Sequence, residues 1–204
     1  MKIDWLGHDT TRITSDNLVI YFDPYKIGNS PKADIIIVSH DHYDHLSPED
    51  IDKLLKDDTV IVAPNNCKPP RQQEGIAAGE TKTVRGVIIE AIPAYNIDKE
   101  FHPKKAGGLG FIIQVNGTRI YHAGDTDLIP EMDNVKCDIA LLPVSGTYVM
   151  TAEEAAEAAR RINPKKAIPV HYGAGVVGTV EDAKKFESLL KDSNIEVEIK
   201  EKTE

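Results

Sequence analysis

Along its first third the chain alternates apolar and polar residues in short runs, Lys2 to Leu6, Thr10 to Thr14 and Leu18 to Phe22. This period of two predicts strands with one face against a core. Ile35-Ile36-Ile37-Val38 abandons the alternation, and an unbroken apolar run of that length predicts a strand covered on both faces. Ser47-Pro48-Glu49-Asp50 reads as a helix start, with a capping serine, proline at the first helical position and acids in the first turn. Ile51, Leu54 and Leu55 give that helix its apolar stripe. Thr59 to Ala63 returns to strand, and Pro64 to Glu80, with its prolines and glycines, is expected to be a connection.

From Thr81 to Tyr121 the pattern is strand-like again, with Asn116-Gly117 placed between Phe111 to Val115 and Arg119 to Tyr121 as a tight hairpin turn requires. Asp138 to Leu142 is a further apolar strand. Thr151-Ala152-Glu153-Glu154 forms a capping box that opens a helix, with the small residues Ala155, Ala156 and Ala159 and Ile162 on its packed side. Lys166 to Val170 predicts a strand, Thr179 to Lys191 a helix packing through Ala183, Phe186, Leu189 and Leu190, and Ile195 to Ile199 a last strand. With no fixed-period repeat and no interdomain linker, the 204 residues predict one α/β domain over 1–204, rich in strands, with helices interleaved late.

Composition narrows the class without naming it. A content of 41% hydrophobic and 28% charged residues belongs to a folded globular chain. The formal net charge of -9, with no basic block, argues against nucleic acid and anionic membranes as partners, although bound dications would reverse the local sign. No apolar run approaches the roughly 20 residues of a membrane helix, and the first residues lack the features of a secretory signal. Cys67 and Cys137 are too few to build a disulfide framework. A cytoplasmic protein with reduced thiols is expected.

The chemistry concentrates in Ser39-His40-Asp41-His42-Tyr43-Asp44-His45, an HxHxDH string directly after the doubly buried strand. Imidazole and carboxylate are the donors that borderline divalent ions prefer, and a loop at the end of a rigid strand can turn alternate side chains toward adjacent ion positions. Two other apolar strands also run into possible donors: Arg119 to Tyr121 into Asp125, and Ala167 to Val170 into His171. Strand ends are where loops converge to build sites in layered α/β folds, so these distant segments are expected to meet.

These motifs, with Gly7-His8, Phe22-Asp23-Pro24, Tyr121-His122-Ala123-Gly124-Asp125-Thr126 and Ile168-Pro169-Val170-His171-Tyr172-Gly173, resemble the metallo-β-lactamase superfamily over nearly the whole chain. Within it they look like the branch holding ascorbate-6-phosphate lactonase-like hydrolases. The resemblance implies a four-layer αββα sandwich with metals between the sheet edges. It makes His40 and His42 ligands of a first metal, Asp44, His45 and His171 ligands of a second, and Asp125 a bridge between them. On that resemblance Asp44 and Asp125 are expected to be the catalytic carboxylates, with Asp44 orienting the hydroxide. The third histidine of the pattern has no counterpart after Val87 to Ala94, where Tyr95-Asn96 stands. His102 is the nearest candidate, either a ligand or an exposed loop residue. Asp23 is expected to order the metal loops, His8 to lie near the site or pack, His122 to be structural, and Tyr148 to face substrate or support the fold.

One or two divalent ions are implied, with zinc the default and manganese or iron compatible. Each would lower the pKa of bound water to about 7 and polarise the oxygen under attack. The expected activity is hydrolysis of a small ester, lactone or phosphoester. Arg71, Lys104 and Lys105 lie in loops that either reach a substrate phosphate or are solvated. The competing readings are a metal-binding sensor without turnover and a diiron redox protein. The resemblance also leaves open assembly into a homo-oligomer.

Overall fold

Strand side chains alternate between two cores, and the computed structural model, which describes residues 1–15 and 18–203, shows which residue enters which. In β3 (Leu18–Phe22), β4 (Ile35–Ile37) and β5 (Val60–Pro64), Ile20, Phe22, Ile35, Ile37 and Val62 join one apolar cluster. Their neighbours Tyr21, Ile36, Ile61 and Ala63 join the other. None of the nine is more than 1% exposed, so the sheet is covered on both faces, which is why Ile35 to Val38 shows no alternation.

The first sheet has the order β1 (Lys2–Gly7), β2 (Thr10–Ser15), β3, β4, β5, β6 (Gln73–Ile76). The second runs β13 (Glu196–Val197), β12 (Lys166–Val170), β11 (Ile139–Pro143), β10 (Thr118–His122), β9 (Leu109–Val115), β8 (Val87–Pro93), β7 (Thr81–Val84). Outside the first sheet, α1 (Pro48–Leu54) buries Ile51 and Leu54. Against the second lie α2 (Ala152–Ile162) and α3 (Val180–Leu190), which also touch each other. This is the expected αββα order. The α2 contact is close because Ala155, Ala156 and Ala159 are fully buried, and a leucine at any of them would overpack the interface by about 1–3 kcal/mol.

Local signals account for the element ends. Ser47 accepts a hydrogen bond from the Asp50 amide, and Thr151 and Glu154 form the reciprocal capping box. Asn116 and Gly117 both have positive φ, 48° and 76°, the conformation an Asn-Gly hairpin turn adopts, and Val115 pairs with Thr118 across it.

Four expectations change. The connection from Pro64 to Glu80 contains β6, which pairs in parallel with β5; Gln73-Glu74-Gly75-Ile76 lacks the β-branched alternation that marks a strand, and its backbone pairing depends on its neighbour. The strand-like stretch from Thr81 to Tyr121 resolves into β7 to β10, with a loop and the short 3-10 turn Lys104–Ala106 between β8 and β9. The last strand shrinks to Glu196–Val197. Leu189 is 37% exposed, because Phe186 and Leu190 already fill the packed face of α3.

Among the described residues, no helix is long and apolar enough to cross a membrane, and both cysteines are free. The run β3-β4-β5-β6 is parallel, as is β10-β11-β12-β13, so in each sheet several strands present their carboxyl ends together.

Candidate metal centre

All the donors but His102, which a loop delivers, reach the centre from strand ends. β3 leads into Asp23, β4 into Ser39 and the HxHxDH loop, β10 into Asp125, β11 into Ser145, and β12 into His171. His8 sits in the turn between β1 and β2 and is locked to the β12 loop: its amide donates to the Tyr172 carbonyl at 3.1 Å and its carbonyl accepts from the His171 amide at 2.9 Å. His8, Asp23 and His171 all have positive φ (55°, 42° and 61°), a conformation costing about 1–3 kcal/mol in a non-glycine residue and concentrated at functional sites. Gly124 has no such choice. A Cβ there would stand 2.8 Å from the Leu109 carbonyl oxygen, so only glycine lets the Asp125 turn approach β9.

The histidine rings are oriented by hydrogen bonds on their outer nitrogens. His40 Nδ1 faces Ser39 Oγ at 2.8 Å, His45 Nδ1 faces Asp23 Oδ2 at 2.7 Å, His171 Nδ1 faces Ser145 Oγ at 2.8 Å and His102 Nδ1 faces the Tyr148 carbonyl at 3.2 Å. Ser39 Oγ itself donates to Asp23 Oδ2 at 2.5 Å, leaving its lone pair for His40. With Nδ1 as the donor in each ring, the Nε2 lone pair points inward. His42 differs, presenting Nδ1, 3.2 Å from His102 Nε2.

The inward atoms gather around Asp125. Its Oδ2 is 3.1 Å from His171 Nε2, 3.3 Å from His102 Nε2, 3.4 Å from His45 Nε2 and 4.0 Å from His40 Nε2. His40 Nε2, His45 Nε2 and Asp125 Oδ1 are buried without a hydrogen-bond partner. Orphaned polar atoms of this kind are costly unless something else satisfies them. Donors bound to one ion at about 2.1 Å stand about 3.0–3.4 Å apart, which is the spacing of the Asp125 contacts to His171, His102 and His45. The residues therefore fit divalent metal. His40, His42 and His102 offer donors within 4.8 Å of one another, as do His40, His45 and Asp125, and His8, His45 and His171.

The structure thus brings His40, His42, His45, His102, Asp125 and His171 together, and His102, 7% exposed, is no solvent-facing loop residue. Asn96 explains how it gets there. Its Oδ1 accepts from the His102 amide at 2.9 Å, and its Nδ2 donates to Asp127 Oδ1 at 3.0 Å and to the Tyr148 carbonyl at 2.8 Å. The residue standing at the place of the missing third histidine anchors the loop that delivers one. Asp44 lines the same pocket, but its Oδ2 meets His8 Nε2 at 3.1 Å, and among the described residues the tight three-donor groups include His8 instead of Asp44. Asp23 binds Ser39 and His45 without facing the pocket. Tyr148 stacks edge-on against Phe101 at the mouth. His122, fully buried, stacks on Phe22 and donates from Nε2 to the Asp9 carbonyl, a structural role. Arg71 binds the carbonyls of Lys56 and Asp57, and Lys104 binds Glu131; neither lines the pocket. Nor does Lys105.

Without metal, the cluster is electrostatically divided. Burial pulls the His45 and His171 imidazoles down, yet Asp125, with Asp23 beside His45, outweighs it and raises both. Burial, then the charge of His45, holds His40 well below the ordinary histidine value. His8 and His102 are also lowered by burial. Burial pushes the Asp125 carboxyl up, but His171 and His45 prevail and keep it well below its usual range. Asp44 is lowered because His8 and His45 overcome burial.

Sequence reasoning assigned no role to Ser39, Asn96 or Ser145. Ser39 adjoins the HxHxDH string, and Ser145 follows an apolar strand as His40 and His171 do; a rule that polar residues at strand ends support the site would have found both.

Two facing sheets with helices outside, and a His/Asp donor cluster at the strand ends, define a metallohydrolase fold. The model of the beta-lactamase superfamily domain matches residues 2–171, and the chain belongs to the metallo-β-lactamase superfamily as a metal-dependent hydrolase. A UPF0173 metal-dependent hydrolase of Natranaerobius thermophilus is 30% identical over 220 residues, covering 96% of this chain and 94% of the relative. A namesake in Methanoregula boonei is 32% identical over 190 residues, covering 84% and 82%. Among solved structures, a protein described as a metal-dependent hydrolase from Parabacteroides distasonis superposes with TM-score 0.88 at 39% identity, covering 98% of this chain and 93% of that one. Igni18, a metallo hydrolase of Ignicoccus hospitalis, shares the fold at TM-score 0.78 and 23% identity, covering 99% and 95%.

Proposed function

We propose that the chain holds two divalent cations and hydrolyses a small ester, lactone or phosphoester. The observation that carries this reading is the convergence of inward-facing, unpartnered donor atoms on Asp125. His40, His42 and His102 would hold one ion, and His45 and His171, with Asp44 or His8, the other; Asp125 is shared. Zinc is the first choice from the donor set, with manganese or iron compatible. Divalent ions there supply an activated water near neutral pH and polarise the carbonyl or phosphoryl oxygen under attack.

The chain's own residues do the rest. Asp44, ionised and facing the pocket, orients the attacking water and takes its proton. His8 Nε2 fixes that carboxylate in place. The same proton then passes to the departing alcohol. Asp125 would supply negative charge to the cations, and the four imidazoles around its carboxylate hold it in place. The cavity above, of about 420 Å³, suits a small molecule better than a polymer.

The test is metal-loaded protein assayed on lactones, carboxylic esters and phosphoesters, with metal content measured in the same samples. Turnover that His42→Ala reduces at least a hundredfold, together with loss of bound metal, supports the reading. Equal metal content and equal turnover in that variant overturn it.

A further inference from the structure

The walls of the cavity differ from its floor. The floor is the donor cluster; the walls and mouth are Asp41, Tyr43, Phe101, Tyr148 and Val176. Tyr43 is 68% and Phe101 51% exposed, and Ile97, 54% exposed, lies on the same loop as Phe101. Large apolar side chains left in water at a pocket mouth mark a place where an apolar ligand is covered. Phe101 and Tyr148 pack edge to face with centroids 4.6 Å apart, and Tyr43 packs likewise on Tyr25 at 5.9 Å, so the aromatic walls are held in place before a ligand arrives.

Charge points the same way. Among the described residues lining the cavity there is no lysine and no arginine, while Asp41 adds a carboxylate to its wall, apart from the donor cluster on the floor. A charged phosphate or carboxylate on the non-reacting end of a substrate would need N–H donors there, the role arginine and lysine usually fill. The nearby amines are engaged elsewhere: Lys26 donates to the Ala174 carbonyl and covers the Tyr25 ring, Lys99 pairs with Asp127, and Lys104 pairs with Glu131.

Resting on the hydrolytic reading above, we infer that the substrate is a carboxylic ester or lactone carrying an uncharged apolar tail, which lies between Phe101, Tyr148 and Val176, and that compounds bearing a phosphate or carboxylate on that tail are excluded. In the reaction the water oxygen bonds to the acyl carbon and the acyl–oxygen bond breaks. One water proton ends on the released alcohol oxygen, and the new acid ionises; in a lactone both products remain one molecule.

The experiment uses metal-loaded protein and p-nitrophenyl acetate, butyrate and hexanoate, the p-nitrophenyl monoester of adipic acid, p-nitrophenyl phosphate and bis(p-nitrophenyl) phosphate. The expected kcat/KM rises at least tenfold from acetate to hexanoate, and hexanoate exceeds the adipate monoester and both phosphates at least tenfold. Phe101→Ala, at a half-exposed position where folding is not at stake, should reduce the acetate-to-hexanoate ratio to threefold or less. Asp41→Lys should narrow the gap between hexanoate and the adipate monoester. Phosphate or adipate substrates matching hexanoate would overturn the substrate class while leaving hydrolysis intact. Absence of all turnover in protein shown to carry its metal would overturn the hydrolytic reading, and this inference with it.

Discussion

Asp23→Asn isolates the polarity of the deepest support in the site. Asp23 is fully buried and its carboxylate accepts three hydrogen bonds: from the Ser39 amide at 2.7 Å, Ser39 Oγ at 2.5 Å and His45 Nδ1 at 2.7 Å. Its φ of 42° suits asparagine, so the backbone is undisturbed. An amide keeps one acceptor for the Ser39 amide but turns an NH₂ group toward Ser39 Oγ and His45 Nδ1–H. The serine hydroxyl can rotate to accept. The imidazole must lose its partner, or move its proton to Nε2 and withdraw the lone pair from the centre. A buried donor left unpaired costs about 1–3 kcal/mol, and weakening a charged hydrogen bond adds a similar amount, so about 3 kcal/mol is expected. In a domain of this size that lowers Tm by about 6–12 °C. Metal affinity should fall about 10–100-fold, as losses of ligand-supporting partners do. Thermal unfolding of chelated protein reads the first effect and competitive metal titration the second. An Asp23→Asn protein with parental Tm and parental affinity would refute the reasoning.

Asn96→Ala should weaken binding at the site proposed for His40, His42 and His102 about tenfold or more, and Ser145→Ala at the site proposed for His171, each sparing the other; metal-resolved titration of both variants checks this. In chelated protein, His45 and His171, raised in the folded state, contribute stability that is full below the unfolded histidine pKa of about 6.5 and is lost as pH rises through their folded values. His40, His8 and His102, lowered in the folded state, make stability fall as pH drops below about 6.5. The Tm of the chelated protein should therefore peak near neutral-to-slightly-acid pH and decline on both sides, while metal loading removes the alkaline decline; a Tm rising steadily from pH 6 to 9 without metal would contradict this. Metal uptake at pH 7 should release protons as these imidazoles are neutralised, measurable by calorimetry in buffers of differing ionisation enthalpy.

Much of this was legible from the chain because two local signals are strong. Buried strands announce themselves through apolar runs such as Ile35 to Val38, and HxHxDH carries its chemistry in spacing alone. The capping box at Thr151 and the turn at Asn116-Gly117 likewise depend on a few adjacent residues. What was not legible depends on partners distant in sequence. β6 is a strand only because β5 offers it hydrogen bonds. His102 enters the site only because Asn96 ties its loop to Asp127 and to the Tyr148 carbonyl. His8 belongs to the centre only because an antiparallel bridge to Tyr172 draws the β1–β2 turn against the loop after β12. The sequence left that histidine between a place at the site and a packing role, because the neighbours that decide it are supplied by the other sheet.

The central claim is that donors from both sheets share their cations through Asp125. Anomalous diffraction from crystals of the zinc- or manganese-loaded protein tests it most directly. The account predicts two peaks about 3.5–4 Å apart, the spacing of two-metal sites, both within coordination distance of Asp125, with His40, His42 and His102 on one side and His45 and His171 on the other. Metal bound elsewhere, or peaks that leave Asp125 and His171 uncoordinated, would contradict it.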